Sequence, residues 1–324
     1  MSRYLVIGGN GVIGHFVTRA LVEAGHRPVV MSRSGNTELI SDIAASCDLL
    51  TGDASAADSV DAAISAHGIT HIAHLGATLT SVTENTPALG MQFNVGGAAN
   101  VLEAARKHGV KRVVMASSKA AYSPISGEFA HPTYRPMPET APTEPATVYG
   151  ISKLAGELLG RWFRDRHGVE FAALRFGSTI GPGKISRHGG AHSRYSVIME
   201  NPMAGLPAEI PKGGDAVCDA LFNGEVARGI IAALDAPRLN HSVYNIATGT
   251  GFTLKQFGAA VKRRFPDAEI SIGPGTDTGS MNCILDVSRA KEDLGFVADH
   301  DVDRIVDGYI ATMRRLNLQA PAPH

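Results

Sequence analysis

Tyr149 and Lys153, in the run Tyr149-Gly150-Ile151-Ser152-Lys153, set a phenol and an ammonium four residues apart, one above the other on a single helix face. A free tyrosine titrates near ~10 and is a poor base at neutral pH, but a nearby cation favours the phenolate and brings its proton transfer toward the working range. Upstream, Ser117-Ser118 closes the apolar run Arg112 to Ala116. Ser118 can donate to a substrate oxygen that Tyr149 protonates, or it can simply cap the segment that follows. A tyrosine and a lysine at this spacing also occur by chance, so the elements that would position them decide the matter.

The first of these elements is a glycine turn. Tyr4 to Ile7 is a short apolar run, and Gly8-Gly9-Asn10-Gly11-Val12-Ile13-Gly14 follows it directly, ahead of a helical pattern. At a strand-to-helix turn, missing side chains let the backbone approach a pyrophosphate, and the helix N-terminus faces its charge. The second apolar run ends in Ser32-Arg33, where an NAD-binding chain would carry an acid for the ribose 2′-hydroxyl. A hydroxyl beside a guanidinium suits the 2′-phosphate of NADP through charged hydrogen bonds, so NADP is favoured over NAD; the alternative is a solvated Arg33 and NAD as cofactor. Asp53, after another apolar run, could bond the adenine amine or form a simple turn.

Short apolar runs alternate with amphipathic segments of helical length, the pattern of βαβ units and a parallel sheet. Strands are predicted at Tyr4 to Ile7, Pro28 to Met31, His71 to Leu75, Arg112 to Ala116 and Phe171 to Phe176. Helices are predicted at Gly11 to Ala24, Ser59 to His67, Asn94 to His108 and Tyr149 to Arg166. The predicted fold class is α/β, a doubly wound parallel sheet with a smaller C-terminal substrate-binding lobe. The proline-rich stretch Ser123 to Pro145 reads as an excursion over the active-site face, and Gly177 to Gly214 as an irregular inserted lobe. Residues 1–176, with 222–247 returning, would hold the dinucleotide; 177–221 and 248–324 would form the lobe. The tail from Gln319 is expected to fray.

Across 324 residues, 44% are hydrophobic and 19% charged, and 30 basic residues nearly balance 31 acidic ones. No global field would draw the chain onto nucleic acid or an anionic membrane, which leaves small molecules as partners. Cys47, Cys218 and Cys283 are scattered without metal-ligand spacing, which argues against a disulfide framework or zinc site and for a reducing, cytoplasmic setting. Neither a signal segment nor a membrane span is read from the pattern.

Taken in order, these pieces resemble the extended short-chain dehydrogenase/reductases, the NAD-dependent epimerase/dehydratase family with its Rossmann domain. The resemblance covers nearly the whole chain. It runs through Gly8 to Gly14, His74-Leu75-Gly76-Ala77, Asn94-Val95, Asn100 to Ala105, Ser117-Ser118, Tyr149 to Lys153, Arg175 with Gly181-Pro182-Gly183, and Tyr244-Asn245-Ile246. It implies Tyr149 as general acid/base, Lys153 bonding the nicotinamide ribose and lowering the tyrosine pKa, and Ser118 polarising the substrate oxygen. It also implies Leu75, Gly76, Ala77 and Asn94 in the cofactor site, and a homodimer paired through the helices Asn94 to His108 and Tyr149 to Arg166.

Departures from the family pattern bear on the substrate. Sugar-nucleotide members carry a diphosphate-clamping arginine where this chain has Cys218, and a thiol cannot make that bidentate contact. Ser178 replaces a usual asparagine. Lys119-Ala120 stands where 4,6-dehydratases have Asp-Glu, so that activity is rejected. Lys119 and Ser178, with Arg187, His188 and His192 in the cationic run Lys184 to Tyr195, could receive a carboxylate or polyhydroxylated substrate, although that run could equally be a solvated loop. His188 and His192 are four apart, but Gly189-Gly190 between them weakens any helix that would align them, so no metal pair is expected. The reaction expected is hydride transfer between nicotinamide and a secondary alcohol or ketone. Epimerisation through a transient ketone, and dinucleotide sensing without turnover, are the alternatives.

Overall fold

The computed structural model describes residues 2–122, 124–183, 194–276, 281–299 and 301–318. Its centre is a seven-stranded parallel sheet in the order β11-β6-β5-β4-β1-β2-β3. The strands are β1 (Tyr4–Ile7), β2 (Val29–Ser32), β3 (Asp48–Thr51), β4 (His71–His74), β5 (Arg112–Ser118), β6 (Glu170–Phe176) and β11 (Val243–Ile246). Helices α1 (Gly14–Glu23), α2 (Ala57–His67), α3 (Thr80–Asn85), α4 (Pro87–Met91), α5 (Gly97–Lys107) and α6 (Val148–His167) connect them.

The strands read as continuous apolar runs because both sheet faces are covered. Successive residues of β1 feed opposite cores: Tyr4 and Val6 face one, Leu5 and Ile7 the other. The first core is closed by Phe16, Val17 and Leu21 of α1. The second is closed by Val60 and Ile64 of α2, Val101 and Leu102 of α5 and Phe163 of α6. Every predicted strand is present within a residue or two. The sheet also contains β3, whose alternating exposure left only a short apolar signal, and β11, whose Tyr244 and Asn245 are both buried.

The remaining elements are β7 (Ser178–Ile180), α7 (Arg194–Met203), β8 (Ala208–Ile210), β9 (Val217–Cys218), β10 (Ala220–Phe222), α8 (Asn223–Asp235), β12 (Phe252–Thr253), α9 (Leu254–Arg264), β13 (Ile270–Ile272), α10 (Ser288–Leu294) and α11 (Val302–Arg315). The pairs β7–β10, β9–β12 and β8–β13 form three small ladders. Where Gly177 to Gly214 was expected to be irregular, β7, α7 and β8 appear, because Ile180, Ile198, Met199 and Ile210 join the first core. That core runs on through Phe257 and Tyr309, so the lobe is packed onto the sheet.

Candidate active site

Helix α1 begins after the glycine turn with no side-chain cap on its first turn, which leaves amide donors for a ligand. Two glycines are sterically required there. Gly8 has φ +79°, and a Cβ on it would lie 3.1 Å from the Gly76 nitrogen; a Cβ on Gly14 would come within 2.0 Å of the Gly8 carbonyl oxygen. The turn is thus locked to the end of β4, at the point where the sheet reverses between β1's neighbours β2 and β4, the place where doubly wound sheets bind ligands.

A cleft of about 590 Å³ opens at this edge. Its wall brings together Gly8, Asn10, Gly11, Val12, Ile13 and Gly14 with Ser32, Arg33, Asp53, Leu75, Gly76, Ala77, Tyr149 and Lys153. Asn10 donates its amide to the Ser32 hydroxyl at 2.8 Å, tying the glycine turn to the end of β2. Arg33 is exposed and lies with its guanidinium 4.8 Å above the Phe93 ring. Asp53 accepts from the Ser55 nitrogen and hydroxyl, both at 2.8 Å. It therefore makes a turn and lines the cleft at once.

Two of the residues expected at the cofactor stand behind the wall. Gly9 packs against Thr18 and Val30. Asn94 is buried, accepts from the Thr78 nitrogen at 2.8 Å and donates to the Thr78 carbonyl and the Ser152 hydroxyl, both at 3.0 Å. Its amide joins the end of β4 to α6. A π-helical turn, Gln92–Gly96, carries it ahead of α5, which is why the predicted helix start at Asn94 falls short of the regular helix.

Helix α6 starts where the Thr147 hydroxyl accepts from the Gly150 nitrogen at 3.0 Å, an N-cap that puts Tyr149 in the first turn. The Lys153 ammonium sits 5.5 Å from the Tyr149 ring centroid and donates to the Ala116 carbonyl of β5 at 3.0 Å. Burial lowers Lys153 to about 8, with Glu157 opposing the shift. Burial pushes Tyr149 up to about 12, while the facing Ser118 hydroxyl pulls it back. Ser118 also accepts from the Ala120 nitrogen at 3.1 Å, so its capping role and its place beside Tyr149 coexist.

A buried network beneath these groups was not anticipated. Glu157 accepts from the Ser117 hydroxyl at 2.5 Å and from Arg175 through Nε at 2.9 Å and Nη2 at 2.6 Å. Arg175 in turn covers the Tyr122 ring at 4.3 Å. Glu157 follows Lys153 by one helical turn, and that spacing was the available signal.

Of the residues expected at the substrate, the Lys119 ammonium donates to the Cys218 sulfur at 3.3 Å, and the Ser178 hydroxyl lies 3.1 Å from the same atom. Neither Lys119 nor Ser178 belongs to the cofactor cleft wall. Arg187, His188 and His192 lie outside the described residues.

The profile of the NAD-dependent epimerase/dehydratase family matches residues 4–247. The chain belongs to that family. It is 28% identical over 250 residues to the mitochondrial L-threonine 3-dehydrogenase of Bos taurus, covering 74% of this chain and 63% of that protein, so it spans less than two thirds of that relative's length. It is 26% identical over 318 residues to a putative UDP-glucose 4-epimerase of Methanocaldococcus jannaschii, covering 97% and 99% of the two chains. Among solved structures, the UDP-glucose 4-epimerase of Thermotoga maritima with UDP-glucose superposes with a TM-score of 0.84 at 25% identity, covering 97% and 99%.

Proposed function

We propose that this protein is a nicotinamide-dinucleotide oxidoreductase that moves hydride between the cofactor and a secondary alcohol or ketone of a small, non-nucleotide substrate. The observation that carries the reading is the presence of Tyr149 and Lys153 in one cleft wall with the glycine turn and an uncapped helix N-terminus. Residues 1–176 and 222–247 would hold the dinucleotide, with the rest of the chain over the substrate.

In the oxidation direction, Tyr149 would take the alcohol proton as the phenolate, while Ser118 bonds the same oxygen; in reduction, the phenol would give that proton back. A bound nicotinamide would supply the hydride acceptor. Lys153 would hold a positive charge 5.5 Å from the phenol ring centroid, and a nearby cation favours the phenolate. Glu157 keeps that ammonium charged. For the cofactor itself, Ser32 at the end of β2 and Arg33 just after it support NADP over NAD, since neither is a carboxylate that would repel a 2′-phosphate.

Epimerisation is the second reading, favoured by the likeness to UDP-glucose 4-epimerases. Against a nucleotide-sugar substrate stands Cys218, buried and held by Ser178 and Lys119 where such members carry a clamping arginine. A dehydrogenase changes the absorbance of added cofactor in step with substrate, whereas an epimerase purifies with tightly held cofactor and shows no net redox change.

Two further features support a working enzyme in a reducing compartment that pairs with itself. Cys47, Cys218 and Cys283 are free and buried, as suits the cytoplasm. On α6, Ile151, Leu158 and Trp162 are 44%, 47% and 48% exposed along one face, beside exposed Val82 of α3 and Leu89 of α4. Such a stripe suits a homodimer. Trp162→Glu should sediment as a monomer at concentrations where the wild type is dimeric; an unchanged dimer would place the interface elsewhere.

The chemistry is tested by Tyr149→Phe, which removes one hydroxyl. Turnover should fall roughly 100-fold or more while cofactor affinity stays within a factor of a few. Near-normal turnover would remove Tyr149 from the mechanism.

A further inference from the structure

Lys119 is a buried ammonium whose charge is favoured by neighbouring Cys218 and Asp219, but no direct contact with a carboxylate is made among the described residues. Its side chain is 5% exposed, and its hydrogen bond is to the Cys218 sulfur at 3.3 Å, a weak acceptor when protonated. The nearest carboxylate is engaged elsewhere. Asp219 Oδ1 accepts from the Thr248 nitrogen and hydroxyl at 2.9 and 2.6 Å. Its Oδ2 accepts from the nitrogens of Gly249 and Leu285 at 3.1 and 3.2 Å. Among the described residues the Lys119 hydrogen bond is to that sulfur, while Asp219 favours its charge through space; a buried cation so held still gains from an anion in direct contact.

Around the same sulfur stand two hydroxyls that could share the anion. Ser178 Oγ is 3.1 Å from Cys218 Sγ. Tyr195, half-buried and edge-on to Phe252 and Phe257, is pushed well above its ordinary range by burial and by neighbouring Cys218, so its phenol is present as a donor. Lys119 directly follows Ser118, the residue facing Tyr149, and consecutive Cα atoms are only about 3.8 Å apart. This adjacency in the chain is the basis for assigning an anion on Lys119 to the molecule whose alcohol reaches Tyr149.

We propose that Lys119, with Ser178 and Tyr195, is a carboxylate subsite and that the substrate class is a short hydroxy acid or its keto acid. This deepens the oxidoreductase reading and rests on it for the word substrate. One buried ammonium balances one carboxylate, whereas a nucleoside diphosphate brings more charge than this cluster offsets.

The test is equilibrium binding to the cofactor-loaded enzyme, by calorimetric titration with 3-hydroxybutanoate and with 3-hydroxybutanamide, its neutral counterpart. The wild type should bind the acid roughly ten- to a hundredfold tighter than the amide. Lys119→Met should abolish that preference while the cofactor still binds and stabilises the fold. Cys218→Ala removes the competing sulfur and keeps the ammonium, so it should tighten the acid. Equal affinity for acid and amide in the wild type, a preference that survives in Lys119→Met, or no binding of either compound at tens of millimolar would each overturn the subsite. UDP binding that depends on Lys119 would overturn the carboxylate assignment and restore the nucleotide-sugar substrate. The readout is binding and needs no hydride transfer; Lys119-dependent binding of a series of hydroxy and keto acids, none of which changes the absorbance of either cofactor, would count against the oxidoreductase reading and leave the subsite standing.

Discussion

The two sides of the active site are built from different materials. The cofactor side is mostly backbone and small residues: a glycine turn locked against Gly76, an uncapped helix and short strand ends. The proposed substrate side is a cluster of side chains, Lys119, Ser178, Tyr195 and Cys218, contributed by segments far apart in the chain. Backbone geometry follows from the fold and serves any dinucleotide, while side-chain chemistry selects a particular substrate. Changes on the first side should therefore act on turnover and cofactor choice, and changes on the second on which molecule is accepted.

Lys153 should give the largest effect, and one of opposite sign on activity and stability. Lys153→Met should cut turnover roughly 100-fold or more by removing the charge beside Tyr149. Burial lowers Lys153 from 10.5 to about 8, so between those values the unfolded chain binds a proton that the folded one does not. Wild-type stability should then rise with pH across that window. The difference of 2.5 units, 10.5 minus 8, corresponds to a cost on the order of 3 kcal/mol at neutral pH. The methionine variant should lack this slope and be more stable than the wild type at pH 7 without cofactor. Denaturant titrations of both proteins at several pH values check this, and parallel curves would mean that Lys153 is not held at a depressed pKa.

The same contrast explains what the sequence made legible. Strand β1, the glycine turn, Ser118, Tyr149 and Lys153 were readable because each depends on local spacing: a strand into a glycine turn, or two residues one helical turn apart. The Glu157–Arg175 pair spans 18 residues and Tyr122 reaches Asn245 across 123, and no local periodicity announces such contacts. Strand β3 was missed for a different reason. Its burial alternates as an edge strand, and Leu49 is 44% exposed, so it lacks the continuous apolar run of its neighbours. Cys218 was noticed only as a missing arginine; its contact with Lys119, 99 residues away, needed the fold.

A smaller effect is expected just past β2, at the side chain proposed to select the cofactor. Arg33 in a solvated site should contribute on the order of 1.5–3 kcal/mol to a 2′-phosphate through charged hydrogen bonds, a preference for NADP over NAD of roughly ten- to a hundredfold. Arg33→Ala should erase most of it. Ser32→Asp should reverse it, because the new carboxylate repels the phosphate and accepts from the ribose hydroxyls. Dissociation constants for both cofactors at one ionic strength decide the matter, and equal or tighter binding of NAD by the wild type would leave Arg33 a surface residue.

Phe93 sharpens the same comparison with the smallest expected effect. Its ring lies under the Arg33 guanidinium at 4.8 Å, in the same cleft wall. A cation–π contact at an exposed site contributes about 0.5–1 kcal/mol. It also spares Arg33 some of the rotamer entropy that a free side chain would lose on meeting a phosphate. Phe93→Ala should therefore weaken NADP about two- to fivefold and leave NAD nearly unchanged, since NAD lacks the group that Arg33 would bind. If both affinities fell together, Phe93 would be touching the part of the dinucleotide common to the two cofactors. Selection at the 2′ position would then rest on Arg33 and Ser32 without the ring beneath.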